Sequence, residues 1–435
     1  MRNIRIGMIG CGVVGQGILR LLTENAPSLE GRLGGKIEVR RIAARDPSKE
    51  RGPYVPMDLL TNDPLSVVND PDVDIVVEVM GGVDPADSYV RHALQSGKSV
   101  VTANKALLAA RGHELIEIAE AKGVDLYFEA AVAGGVPVIR VLREAFASDR
   151  IIAVRGIING TSNYILSRMT ESGIDFGPAL KEAQEKGYAE ADPALDVGGG
   201  DAAHKLNILA TLAYGVRIEL SQIATSGIDQ VNATDIAFAS RFGYVIKPLA
   251  VARALPDGKL DLRVHPALVS KKSVLASVNG ALNAVYIEGA AVGSCLLSGL
   301  GAGALPTAVS VVSDIVDVGR NLRTASIGRV PHRSFRTASM TIPRVQAPAD
   351  HNCRFFLRFS VQDRSGVLGK LATTLGQHQV SIEQMVQEGH QSSSPVSVVV
   401  LTHPAREGDV RNALTEIDRQ DVVSAPTRLI RIEES

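Results

Sequence analysis

The densest chemistry in this sequence runs from Gly187 to Lys205: Gly187-Tyr188-Ala189-Glu190-Ala191-Asp192-Pro193-Ala194-Leu195-Asp196-Val197-Gly198-Gly199-Gly200-Asp201-Ala202-Ala203-His204-Lys205. Carboxylates crowded this closely repel one another unless they face solvent or a cationic ligand. Asp201 and Lys205 are spaced i, i+4 and share one face of a helix. The apolar Leu206, Ile208 and Leu209 that follow imply that this helix is partly buried. A surface ion pair beside an acidic loop is the plainer meaning of that spacing. The chemical meaning is that Glu190, Asp196 and Asp201 hold an ammonium group. Lys205, itself an ammonium, could then give a proton to a carbonyl oxygen while hydride arrives from a cofactor.

A hydride donor would leave its own mark, and Gly10-Cys11-Gly12-Val13-Val14-Gly15 fits G-x-G-x-x-G between a strand (Arg5–Ile9) and a helical pattern (Val13–Leu22). Gly10 makes the tight turn, Gly12 lets a pyrophosphate approach the N–H groups of the helix start around Val13 and Val14, and Gly15 permits close helix–strand packing. At the end of the next strand stands Arg45, with Lys49 and Arg51 nearby, where an NAD-preferring site tends to place an acid. A cation there suits a 2′-phosphate and favours NADP, with NAD still possible; the adjacent Asp46 and a merely solvated loop are the counter-readings. Lys105, in Val101-Thr102-Ala103-Asn104-Lys105, falls at the carboxyl end of a strand, where open α/β sheets bind ligands. Glu129 to Pro137 offers a carboxylate and several glycine-freed carbonyls, a set that suits a hard cation or simply a hinge. Leu300-Gly301-Ala302-Gly303 is a second glycine turn before a helix, able to approach a cofactor or merely to cap.

These residues must be positioned by three units. Residues 1–135 alternate buried strands with helices, predicting a doubly wound, Rossmann-like parallel sheet. Residues 136–330 read as an α+β domain for substrate and dimerisation, whose helix Pro306–Asn321 returns to the first unit. A Pro-, Arg- and Ser-rich linker spans 331–350. Residues 351–435 then read βαββαβ, a ferredoxin-like order, with a loop over Glu388–Pro395 between its middle strands.

Composition removes other function classes. Forty-six basic against 47 acidic side chains leave a net charge of −1, no footprint for nucleic acid or an anionic membrane. No stretch of ~18 uncharged apolar residues is present, which argues against a membrane helix. The first residues run straight into a strand without a signal-peptide pattern, and Cys11, Cys295 and Cys353 form no C-x-x-C pair, so a reducing cytoplasm is expected. The histidines show no metal spacing, there is no G-x-S-x-G elbow, and Cys295 does not open a helix as a catalytic thiol would.

At the level of motifs the chain resembles homoserine dehydrogenases of the single-function type that carry a C-terminal ACT domain. The likeness rests on the glycine fingerprint, Thr102 to Lys105, Glu129 to Pro137, Asn159-Gly160-Thr161-Ser162-Asn163-Tyr164 and, most specifically, Gly187 to Lys205. It implies interconversion of L-aspartate 4-semialdehyde and L-homoserine with NAD(P), in threonine and methionine biosynthesis. It also implies Lys205 as proton donor with Asp201 as its partner, and Lys105 between substrate and cofactor. Substrate would be bound by Glu190 and its neighbourhood (Gly187, Tyr188, Thr161, Asp196), and the cofactor contacted by Gly301. Glu129 with the carbonyls of Val132, Gly134 and Val136 matches a sodium site. Ala191 stands where the family usually has Pro. Asp363-Arg364-Ser365-Gly366-Val367-Leu368 resembles the ACT ligand loop, with threonine the natural effector and bare dimerisation the alternative. A homodimer or homotetramer is expected. Two other readings remain open at this point: a silent sensor of NADP and amino acid, and a dehydrogenase of a different amino-acid semialdehyde.

Overall fold

A computed structural model describes residues 3–388 and 395–434. Its first sheet has six parallel strands, β1 (Ile4–Ile9), β2 (Ile37–Ala43), β3 (Leu60–Thr61), β4 (Ile75–Glu78), β5 (Ser99–Thr102) and β6 (Leu126–Tyr127). Their order is β3-β2-β1-β4-β5-β6. The strands are continuous apolar runs because both faces are covered: Ile4, Ile6, Met8, Ile75 and Val77 enter one core, while Ile9, Val76 and Val100 enter the other. Strand order reverses between β1 and β4, so a crevice opens beyond their carboxyl ends. The last strand, β6, is only two residues long, since Glu129–Ala131 turns into a single 3₁₀ turn.

The helix Val13–Glu24 covers the start of this sheet and packs on the helix Ala304–Thr324, which comes back from far along the chain. Gly17 makes that approach possible: a Cβ there would lie 2.6 Å from the Ala304 carbonyl oxygen.

The second sheet is mixed and runs through the rest of the molecule. It contains β7 (Ile151–Ile157), β8 (Ala224–Thr225), β9 (Tyr244–Ala254), β10 (Leu260–Ser270), β11 (Leu282–Gly289) and β12 (Gly293–Leu300). The C-terminal unit adds β13 (Asn352–Val361), β14 (Ile382–Glu388), β15 (Val396–Thr402), β16 (Ala405–Arg406) and β17 (Val423–Glu433). The path is β12-β11-β7-β9-β10-β17-β13-β15-β14, with β8 on β10 and β16 on β13. Within the C-terminal unit the order β17-β13-β15-β14, with helices Val367–Gln377 and Glu407–Ile417 on one face, is the ferredoxin-like ACT arrangement. Sequence reading places this unit apart from the second domain; the structure instead joins them edge to edge through β10 and β17.

The segment read as a linker, 331–350, is packed. Arg333 and His332 are buried in it, Thr341 bridges to Val216, and Val345 bridges to Leu260. The loop expected between β14 and β15 lies, over 389–394, outside the described residues. All three cysteines are free thiols.

Candidate active site

The glycine loop shows why glycine is required. Gly10 has φ 109°, and a Cβ there would press on the Val79 backbone at 2.8 Å. A Cβ on Gly15 would sit 2.6 Å from the Gly10 carbonyl oxygen, so only a bare backbone lets helix and strand close up. Gly12 differs: its added Cβ would meet nothing within 4 Å. Space is therefore open over the N-terminus of the helix Val13–Glu24, where Val13 is 69% exposed and no side chain caps the N–H groups. A pyrophosphate fits there, against unsatisfied donors and the positive helix end.

Beside this loop the three candidate cations part company. Arg51 is anchored, donating to the carbonyls of Cys11 (3.4 Å), Lys49 (2.8 Å) and Asp46 (2.7 Å). Arg45 is exposed and makes no ion pair or side-chain hydrogen bond among the described residues. The Asp46 carboxylate is taken up by its own turn, accepting from the Ser48 hydroxyl at 2.6 Å and N–H at 3.0 Å, which lowers its pKa.

From Val14 a cavity of about 310 Å³ extends past Met80, Gly81, Lys105, Gly134 and Gly301 to Lys205. Two distant helices meet at its far end. Lys105 opens the helix Lys105–Lys122, whose N-cap is Asn104; Asp201 and Lys205 lie on the helix Gly200–Tyr214. Asp201 bridges both lysines: Oδ1 is 3.1 Å from Lys105 Nζ, and Oδ2 accepts from Lys205 Nζ at 2.7 Å. Lys205 also donates to the Ile158 carbonyl at 2.7 Å. Burial would raise the Asp201 carboxyl, but the two ammonium groups and the hydrogen bonds from Lys205 and Asn159 hold it below the ordinary carboxylate range. Asp196 shifts the other way, raised by burial and by the Asp201 charge, although Asn159 donates to it at 2.7 Å.

Asn159 is therefore a hub that motif reading quoted but gave no role. Its carboxamide nitrogen joins Asp196 to Asp201 (2.8 Å), and its oxygen caps the helix Gly160–Ser172 through the Ser162 N–H. Glu78 is a second omission. Fully buried, it accepts from the Met80 and Gly81 N–H groups at 2.8 and 3.2 Å and from the Thr102 hydroxyl at 2.6 Å. It thereby ties the loop that walls the cavity to the turn that presents Asn104 and Lys105. A carboxylate ending an apolar strand, just before Gly81-Gly82, was the available signal.

The remaining candidates are spread unevenly. Thr161 donates to the Tyr188 carbonyl at 2.6 Å and reaches Asp196 at 3.4 Å. Tyr188 is half exposed with its ring 4.7 Å from that of Tyr164, and Gly187 ends the preceding helix at φ 74°. Glu190 is not brought into the cluster: it lies exposed, its carboxylate without an ion pair or hydrogen bond among the described residues, and only its carbonyl is engaged, by Gln184 at 3.1 Å. Gly301 sits tightly, since a Cβ on Gly134 would come within 2.4 Å of its carbonyl oxygen.

Glu129 is buried and accepts from the N–H groups of Ile139 (2.9 Å) and Arg140 (2.7 Å), so it caps the next turn. Ala133 and Gly134 both have positive φ, the Gly134 carbonyl accepts from Ser310 at 2.6 Å, and the Val136 carbonyl accepts from Val138 N–H at 2.8 Å. This oxygen-only set, with Val132 beside it, has the chemistry of a hard-cation site, each oxygen keeping a second lone pair. No cluster of three or more His, Cys, Asp or Glu side chains suited to a metal occurs among the described residues. In the ACT unit Asp363 and Leu368 are exposed, Gly366 caps the helix Val367–Gln377 at φ 89°, and Val367 is buried.

Residues 10–129 match the model for the homoserine dehydrogenase NAD-binding domain, 137–316 that for homoserine dehydrogenase, and 355–421 that for the ACT domain. A homoserine dehydrogenase of Neisseria gonorrhoeae is 42% identical over 434 residues, covering 100% of this chain and 99% of its own. The crystal structure of one from Thiobacillus denitrificans superposes with a TM-score of 0.94 at 42% identity, covering 100% and 99% of the two chains. A hyperthermophilic archaeal homoserine dehydrogenase in complex with NADPH gives 0.62 at 27% identity, covering 73% of this chain and 98% of that one. Similarity along the full length sets aside both the silent sensor and the dehydrogenase of another semialdehyde. The chain belongs to the homoserine dehydrogenase family, NAD(P)-dependent oxidoreductases acting on a CH–OH group, here with a C-terminal ACT domain.

Proposed function

We propose that Lys205 is the proton donor in the interconversion of L-aspartate 4-semialdehyde and L-homoserine, that Asp201 holds its ammonium group in place, and that Lys105 stands between substrate and dinucleotide. The observation that carries this reading is the Lys105–Asp201–Lys205 bridge on the cavity that begins at the glycine loop. The dinucleotide, when bound, supplies or accepts the hydride. An ammonium has three donors; Lys205 gives one to Asp201 and one to Ile158, which leaves the third for the substrate oxygen. In reduction that proton passes to the oxygen as the aldehyde carbon receives hydride; in oxidation the neutral amine takes the hydroxyl proton. Asp196 and Thr161, with Glu190 reaching from the exposed turn formed by Gly187 and Tyr188, receive the substrate ammonium.

NADP(H) is the preferred cofactor over NAD(H), because Arg45 is uncommitted while Asp46 is engaged in its own turn; the NADPH bound by the archaeal relative points the same way. Gly10, Gly12, Gly15, Val13 and Val14 would hold its pyrophosphate, and Gly301 the far side. A sodium ion at Glu129 and the carbonyls of Val132, Gly134 and Val136 would stiffen the turn between the first and second domains. An amino-acid effector, threonine, would bind at Asp363, Gly366, Val367 and Leu368. The edge strand β12, with Leu296 and Leu300 exposed, would pair with a second copy in a homodimer or homotetramer. No described helix is long and apolar enough to cross a membrane, and the free cysteines fit a cytoplasmic setting.

The test is Lys205→Ala in the full chain. Consumption of NADPH with aspartate semialdehyde should fall by ~10²–10⁴ in kcat, while NADPH titration gives an unchanged Kd. A variant that keeps its kcat overturns the assignment.

A further inference from the structure

The segment 331–346 crosses the back of the two helices that carry the lysine bridge. Phe335 lies against Gly215, where an added Cβ would be 2.8 Å from its ring, at the C-terminal end of the Asp201 helix. Thr341 then exchanges backbone hydrogen bonds with Gly215 and Arg217 at 3.1 and 2.9 Å. Arg217 is ion-paired to Glu117 of the Lys105 helix. Between the helices sits Arg333, only 2% exposed. One of its terminal nitrogens is 2.6 Å from His113 Nδ1, and the other donates to Thr337 at 2.5 Å. Its surroundings include Leu108 and Ile116 from one helix and Ile208 and Leu212 from the other. Space at this junction is about 30 Å³, roughly the share of one water molecule.

A guanidinium buried without a carboxylate is costly, and Arg333 has no ion-pair partner among the described residues. Lys105 and Asp201 meet across the same two helices, so their 3.1 Å separation depends on how far apart those helices are held. We propose that Arg333 is a positioning residue, a wedge that sets the spacing of the Lys105 and Asp201 helices and so keeps Lys105 within reach of Asp201. The inference rests on the catalytic reading of that bridge. Arg333 itself touches neither the cavity nor the reacting groups; it acts through His113, two turns along the helix from Lys105.

The experiment compares Arg333→Met, Lys105→Met and the double variant in the full chain, with thermal midpoints and NADPH Kd alongside kinetics. Arg333→Met should lower kcat about tenfold, because small displacements of catalytic groups are expensive, with the NADPH Kd within about twofold. Arg333→Lys should restore part of that loss. In the Lys105→Met background the same replacement should cost less than about twofold, since residues acting through one another are non-additive. An unchanged kcat in Arg333→Met overturns the proposal, and so does an equal fold-loss in both backgrounds. If Lys105→Met is itself harmless, the catalytic reading of Lys105 fails, and the wedge with it. Should Arg333→Met not fold, Thr337→Val, which removes one anchor of the guanidinium, is read against the same outcomes.

Discussion

Two buried charge clusters in this molecule look alike on paper and differ in what surrounds them. At the first, Asp201 is flanked by Lys105 and Lys205, and both lysines line a cavity. At the second, where β10 meets β17, Arg263 pairs with Glu433 at 2.7 Å and Asp261 at 3.1 Å, and Arg253 adds to Glu433 at 3.1 Å. His265 and His351 are buried beside them, and burial lowers the pKa of each. The Arg263 cluster faces only protein: Arg263 Nη2 pairs with both carboxylates, while Nε and Nη1 are buried with no hydrogen-bond partner and no cavity before them among the described residues. Lys205 keeps a donor for something else. An ion pair by itself says little about chemistry; a donor left over beside a cavity says a good deal.

Matched carboxylate-to-amide variants sharpen this contrast. Asp201→Asn should cut kcat by about 10²-fold, since the lysines lose the group that orients them, with a modest change in thermal midpoint. Glu433→Gln should do the reverse. It leaves Arg263 short of a partner in a buried seam, costing about 3–5 kcal/mol of stability in a denaturation titration. Its kcat per folded molecule should stay within about twofold of the parent. If Glu433→Gln instead removes activity and spares stability, the seam belongs to the catalytic machinery and the comparison breaks.

How much of this was legible beforehand follows from the range of the interactions involved. Gly10 and Gly15 could be read because positive φ and close approach are local demands that only glycine meets, and Gly12 because the same pattern leaves open space for a phosphate. The Asp201–Lys205 pair could be read because i, i+4 spacing fixes a helix face. The reach of Lys105 to Asp201 spans 96 residues of sequence, and no spacing rule predicts it. Pro, Arg and Ser between 331 and 350 have the composition of a linker; the burial of Arg333 comes from helices that residues 105–122 and 200–214 supply. The union of the ACT unit with the second domain was invisible for the same reason, because β10 and β17 each read as an ordinary strand. Glu190 was suggested by proximity in sequence to Asp196 and Asp201, and the turn at Gly187 leaves its carboxylate exposed at the margin of that cluster, a placement that spacing could not foretell.

The strap at Arg333 lies between the two kinds of cluster, buried like the seam yet next to the catalytic helices, and pH distinguishes it. Burial, with the Arg333 charge adding to it, pushes His113 down to about 4 from an ordinary 6.5. The unfolded chain therefore binds a proton between those values that the folded chain does not. Stability from this group is complete above about pH 6.5 and is lost as pH falls toward 4, by about 1–2 kcal/mol once solvent screening of the half-buried ring is counted. Glu117 and Arg217, which also face His113, oppose one another. His113→Gln should flatten that portion of the stability–pH curve measured by urea titration. A curve of unchanged slope would mean that His113 is solvated and that the strap is loosely seated.

The smallest expected effect is beyond the glycine-loop end of the cavity, and it asks whether an exposed charge can be functional when it has no partner among the described residues. Arg45 is such a charge, the counterpart of Lys205 in having capacity unspent, but without the burial that gives Lys205 its leverage. A guanidinium–phosphate contact contributes about 1.5–3 kcal/mol when formed, less in proportion to its exposure to water and salt. Arg45→Ala should accordingly raise KM for NADPH about tenfold or less and leave KM for NADH nearly unchanged. The difference should shrink as ionic strength rises, because screening acts on the exposed pair and spares the buried bridge. Equal changes for both cofactors would show that Arg45 supports the fold of its turn rather than a 2′-phosphate. The Arg51 anchor, which donates to Cys11 and Asp46, would then have to supply that charge while keeping the glycine loop in place.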